Sequence, residues 1–340
     1  MGNEIWIWVK EKFSALGRWV AMWLKRGWLA LAAFIKSLSA SAWRRIAVAV
    51  PLIFIFYILI GVGFTHRIDD SSLDLSSKPT GGANIIAVMA ALVEREAVDH
   101  RWTPNDPFFM PGWWIDNTPS YQTGIMNALS RVSLEMRDQL GRSRGSSAVD
   151  SDLEGAAGNL AKEPDRWIIN FSTSFLPTTA SEKYYAEAAQ QLKQYNQRLS
   201  AGEAVFERRT DNLLATLDRI ALDLGASSAV SDSYIAENAG GFLPDRGADD
   251  IFFRTKGQSY AYMEVLKALR LDFAELIEAR EITTMFDELI RSMEAVVALD
   301  PFVVANGSRD GILANHLATQ GFHLLRARTQ LREVTNILLK

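Results

Sequence analysis

The sequence predicts a mainly α protein: an N-terminal amphipathic helix, one transmembrane helix, then a multi-helix, bundle-like domain with ordered aromatic loops. Three observations carry that reading. Residues 46–64, IAVAVPLIFIFYILIGVGF, contain no charged side chain. Beyond them, long segments place apolar residues at helical spacing. Runs with β-favouring residues, WIINFST (167–173) and DIFFRT (250–255), are short and isolated.

Residues 1–45 form a basic arm. They carry eight Lys/Arg against Glu4 and Glu11, a net of +6, so the rest of this −4 chain sums to −10. A basic arm before an acidic body is what the positive-inside rule leaves, and it does not suit a nucleic-acid-binding globule. Ile5, Val9, Phe13, Leu16, Val20, Leu24, Leu31 and Phe34 line one helical face. Six of the ten tryptophans crowd the same 45 residues. Tryptophan favours the headgroup zone and Lys/Arg favours anionic lipid. Trp6, Trp19, Trp23, Trp28, Lys25, Arg44 and Arg45 are therefore the predicted membrane-interface residues. The same stripe also suits an oligomer seam or a partner helix.

As a helix, 46–64 measures roughly 28 Å against ~30 Å of hydrocarbon. Pro51 falls in its first two turns, where a missing N–H costs least. The arm is too long for the basic region of a cleaved signal peptide. The segment reads as a signal anchor, with a cytoplasmic N-terminus and residues 65–340 on the far side.

Residues 65–84 read as a polar linker and 85–340 as a helical domain. Helices are predicted over 85–98, over 125–140 with Gly141 as C-cap, and from about 181 behind a Thr179/Glu182 capping box. Others cover 203–224, 258–279, 281–298 and about 309–339. GRSRGSSAVDSD (141–152) reads as a flexible connector.

Between the first two helices lies PNDPFFMPGWWIDNTPSYQTG (104–124), with five aromatics and four prolines. It reads as a non-helical but ordered plug, with at least one of Trp113 and Trp114 largely buried and with Asp116 and Asn117 satisfying loop N–H groups. The competing reading is a binding surface. Trp113, Trp114, Asp116, Asn117 and Tyr121 combine aromatic faces with the polar groups that hold a sugar. Asp249 and Asp250 add carboxyls able to share a proton or hold a cation, and Asp116 with Asp250 can flank a glycosidic bond. Their plainer role is to cap a helix or pair with Arg246 and Arg254.

The absence of cysteine excludes disulfides, thiolate metal sites and Cys nucleophiles. His316 and His323 lie seven apart, which is not the spacing of helical metal pairs. No G-x-S-x-G, P-loop or G-x-G-x-x-G occurs. No metal, cofactor or catalytic residue is predicted.

PGWWIDNTPSYQTG (111–124), GRSR (141–144), DDIFFRTKGQSYAY (249–262) and NGSRDGILANHL (306–317) are similar to recurring blocks of a bacterial family. That family comprises membrane-anchored proteins catalogued only as a domain of unknown function. The similarity runs in order from about residue 45 to the C-terminus. It implies a single-span bacterial envelope protein and carries over no catalytic residue. The expected function is therefore a non-enzymatic structural or interaction protein of the inner membrane with a periplasmic helical domain. The alternative is a periplasmic glycan-binding or glycan-cleaving protein using the 104–124 loop. Expected partners are the lipid bilayer, further copies or other envelope proteins, and peptidoglycan, but not nucleic acid.

Overall fold

A computed structural model describes residues 19, 22–23, 25–30, 33, 37, 39–73, 78–139, 149–169, 176–238, 240, 245–308 and 314–340. The chain divides into two compact units, 1–57 and 58–340.

In the first unit the described residues before Ser39 are helical. Ser39 then caps helix α1, Ala40–Thr65, its hydroxyl accepting from the Ala42 N–H at 3.2 Å. α1 is long and apolar enough to cross a membrane, and Val50, Leu52, Ile53 and Phe56 point outward. Because α1 begins at Ala40 and not at Ile46, Pro51 is the twelfth of its 26 residues and lies in its interior, not in the expected first two turns. Trp19, Trp23, Trp28, Lys25, Arg44 and Arg45 are all exposed. The Trp19 and Trp23 rings lie 5.8 Å apart. Trp6 and all eight residues of the predicted apolar stripe fall outside the described residues.

The second unit is all helix and loop among the described residues. Its elements are α2 (Asn84–Glu94), a π turn (Arg95–Asp99), a 3₁₀ turn (Pro111–Trp114), α3 (Asn117–Gln139) and α4 (Ser151–Leu160). Then come α5 (Ser181–Ala201), α6 (Thr210–Asn238), α7 (Arg246–Asp272), α8 (Ala274–Ala279), α9 (Thr283–Val297) and α10 (His316–Leu338). α3 and α7 pack most extensively; α2 and α9 also pack on α7, α5 packs on α2 and α4, and α10 on α6 and α9. α9 shows why such segments fold: Phe286, Leu289, Met293 and Val296 recur at helical spacing and all face the core.

The α3–α7 crossing depends on two glycines. A Cβ on Gly124 would lie 2.1 Å from the Arg254 carbonyl oxygen, and one on Gly257 2.1 Å from that of Tyr121. Only hydrogen atoms fit between these backbones. The close crossing brings Tyr121 and Tyr260 together in the core, ring centroids 6.2 Å apart.

Several expectations are corrected. DIFFRT (250–255) lies inside α7, where Phe252 and Phe253 serve a helical face instead of a strand. Of the other strand candidate, 167–169 are irregular and 170–173 lie outside the described residues. The 104–124 stretch is helical in its second half, because α3 starts at Asn117 and carries Pro119 in its first turn. No side chain caps α5 through Ala180, so the Thr179/Glu182 box does not form; Glu182 instead accepts from Asn105 at 2.7 Å. The helix expected over 203–224 occupies Thr210–Asn238. α4, capped by Asp150, begins inside the supposed connector, while Gly141 lies outside the described residues.

Candidate functional site

The chain leaving α1 is held to the body. The Arg67 N–H donates to Thr118 Oγ1 at 3.1 Å, and the Asp69 carbonyl accepts from Arg95 Nη2 and from Tyr121 Oη, both at 2.8 Å. Tyr260 Oη donates to the Ser71 carbonyl at 2.6 Å and accepts from Arg95 Nη1 at 2.9 Å. Lys256 Nζ, buried within α7, lies 3.2 Å from the Asp70 carboxylate and donates to the Leu299 carbonyl at 3.0 Å. Within the stretch read as a polar linker, residues 66–73 are a strap held to the body; 74–77 lie outside the described residues.

The strap rests on a buried charge network. Arg95 opens the π turn and pairs with Glu96 at 2.9 Å, a carboxylate almost wholly removed from water. Burial raises the Asp69 carboxyl, but hydrogen bonds from Ser71 and the charges of Arg95 and His100 outweigh it, leaving its pKa below the ordinary value. Burial pushes the Tyr260 phenol up to about 12, keeping it a donor at neutral pH. Sequence reading missed Asp69, Asp70, Arg95, Lys256 and Tyr260. The only local signal was a lysine set within the apolar face of a helix.

The aromatic loop is ordered, but not by the predicted residues. Buried Gln122 accepts from the Thr103 N–H (3.1 Å) and hydroxyl (2.8 Å) and donates to the Arg101 carbonyl at 3.1 Å. Asp106 accepts from the Gly112 N–H at 3.1 Å, and the Trp102 indole donates to the Pro164 carbonyl at 2.8 Å. Trp102 and Tyr121 are the buried aromatics, whereas Trp113 and Trp114 are 55% and 52% exposed. This overturns the expected burial of a Trp113/Trp114 ring. Pro111 directs the turn so that those rings stand edge to face, centroids 5.1 Å apart, with the Trp114 indole donating to the Phe108 carbonyl at 2.8 Å.

The structure does bring the predicted polar residues together. Asn117, oriented to satisfy its neighbours, donates to Asp249 Oδ2 and to Asp116 Oδ1 (3.1 Å). Ser120 donates to Asp250 at 3.0 Å, and Arg246 approaches Asp116 at 3.9 Å. Burial, reinforced by Asp116 and Asp250, raises the Asp249 carboxyl to about 6. The acids follow the true cap of α7, Asp245, whose carboxylate accepts from the Gly247 and Ala248 N–H groups.

A cavity of about 450 Å³ lies beside Asp250, lined also by Tyr234, Arg254, Gln258 and Ser227. Trp113 and Trp114 do not line it. Chemically, the acids form a cluster linked through Asn117, in which Asp249 holds its proton more tightly than an ordinary carboxyl, and the tryptophans form a separate, open aromatic surface. His316 accepts from the Ala305 N–H at 2.9 Å and so serves the turn before α10. No group of three candidate metal ligands occurs among the described residues.

A family described as uncharacterized protein conserved in bacteria (DUF2333) matches residues 66–239 and 244–340. The chain belongs to that family. No curated protein and no solved structure matches it.

Proposed function

We propose that this member of the bacterial DUF2333 family is a single-span interaction protein of the inner membrane. Its helical body stands on the periplasmic side as a fixed mount for further copies or other envelope proteins. The basic, tryptophan-rich arm lies on the cytoplasmic leaflet.

The observation that carries this reading is the strap. A free 20-residue linker would let its end wander over roughly 25 Å. Here Arg67, Asp69, Asp70 and Ser71 are all held within eight residues of the end of α1. A body needed only as a tethered catalyst would gain little from that attachment. A body that must present one face at a set height and angle requires it.

Protease added to spheroplasts is expected to remove residues beyond the span and spare the arm; a protected body overturns the orientation. Native mass measurement after mild detergent extraction is expected to show copies or partners bound to the body. A bare monomer with no co-purifying chain overturns the mount.

A further inference from the structure

We propose that the exposed aromatic turn at 108–114 is a second membrane anchor, seated in the headgroup–acyl boundary of the leaflet from which α1 emerges. The proposal rests on the reading of α1 as a membrane span. Its occupant is lipid, and the reason is position.

Pro111, the first residue of the 3₁₀ turn, is packed directly on the last turns of α1: a Cβ on Gly61 would lie 2.2 Å from Pro111 Cγ. Gly61 is three residues before Phe64, where the uncharged run ends, or roughly 4.5 Å along the helix axis. The run matches the hydrocarbon thickness, so Pro111 touches α1 at the edge of the hydrocarbon. Trp113 and Trp114 follow Pro111 by roughly 4 and 6 Å of 3₁₀ rise. They cannot stand far from that level.

The composition of the turn suits that depth. Phe108, Phe109, Trp113 and Trp114 are 63%, 40%, 55% and 52% exposed, and on α1 itself Phe64 is 86% exposed. Four neighbouring aromatics left in water are costly for a soluble surface, whereas indole rings favour the membrane interface. The charge nearest in sequence before the tryptophans, Asp106, is turned inward, 5% exposed and paired with Arg101 at 3.1 Å. The first acid after them, Asp116, shares Asn117 with Asp249 and is approached by Arg246 at 3.9 Å. The turn itself, FFMPGWW (108–114), carries rings and no charged side chain, so it suits zwitterionic lipid as well as anionic. Seating it fixes the tilt of the body, because the α1 exit and the aromatic turn then make two points of contact.

The test uses the full chain, which has no cysteine. Single variants Trp113→Cys, Phe109→Cys, Val50→Cys and Phe302→Cys are spin-labelled in zwitterionic vesicles, and depth is read from oxygen and nickel-chelate accessibility. All four side chains are exposed, Phe302 fully, so the substitutions leave the core intact. Labels at 113 and 109 are expected within roughly 5–10 Å of the phosphate plane, at 50 deep in hydrocarbon, and at 302 in water. Labels at 113 and 109 in water, with 50 deep, overturn the anchor and leave the span standing. A label at 50 in water overturns both. Labels at 113 and 109 shielded from both reagents, or released from lipid by peptidoglycan fragments, assign the surface to a protein or a glycan and overturn the lipid proposal.

Discussion

The Lys256 ammonium, 1% exposed in the middle of α7, lies 3.2 Å from the carboxylate of Asp70 on the strap that leaves α1. Asp300 approaches the same ammonium at 3.3 Å from the loop after α9. One buried cation thus ties the strap to two elements of the body. A buried charge is retained only where its partners stay in place, so the strap and the core stabilise each other.

Asp70→Ala is expected to cost about 1–2 kcal/mol and to speed hydrogen exchange over 66–73 more than in α3 or α7. Lys256→Ala should cost about 2–4 kcal/mol, because it also opens a cavity, and Lys256→Met less. Melting and exchange of the full chain in detergent check both. Uniform exchange across the body in Asp70→Ala would mean that the strap is not held by this pair.

Gly257→Ala is expected to be severe, about 3 kcal/mol or more, since the added methyl meets the Tyr121 carbonyl at 2.1 Å and must push α3 from α7. Gly158, inside α4 with nothing within 4 Å of a new Cβ, provides the control. Gly158→Ala should stabilise by about 0.5–1 kcal/mol through helix propensity and a less free unfolded chain. Parallel thermal melts distinguish the two.

Asp249 makes stability depend on pH. Its folded pKa of about 6 exceeds that of the unfolded chain, so the native state holds the proton more tightly. Stability therefore falls as pH rises from about 4 to 6 and stays lower above that range. With the group half open to solvent, the screened effect is about 1 kcal/mol. Asp249→Asn should melt about 2–4 °C higher than the parent at pH 7.5, with the gap closing as pH falls to about 3.5, below the unfolded pKa. An equal gain at both pH values would trace the effect to packing.

Trp113→Ala should change stability by no more than about 0.5 kcal/mol, because its ring is half in solvent. Trp114→Ala should cost about 1 kcal/mol, the value of its hydrogen bond to the Phe108 carbonyl. The sequence expectation was that both would destabilise as members of a buried plug. Differential scanning of the two variants checks which residues anchor the loop.

Much of this molecule was legible one residue after another. The uncharged run 46–64 marked α1, and the helical spacing of Phe286, Leu289, Met293 and Val296 marked α9, because periodicity is a local property of the chain. The prolines and aromatics of 104–124 rightly announced an ordered loop, and Asp116, Asn117, Asp249 and Asp250 do meet. What the sequence could not determine was which way the rings would point. Tyr121 and Trp102 took the core positions, and Pro111 turned Trp113 and Trp114 outward beside Gly61. Nor does any local pattern join Asp70 to Lys256 or Asp69 to Arg95. Those pairs lie in segments distant in sequence, the strap, the π turn and α7, and only the folded packing of these elements places a buried cation under the strap.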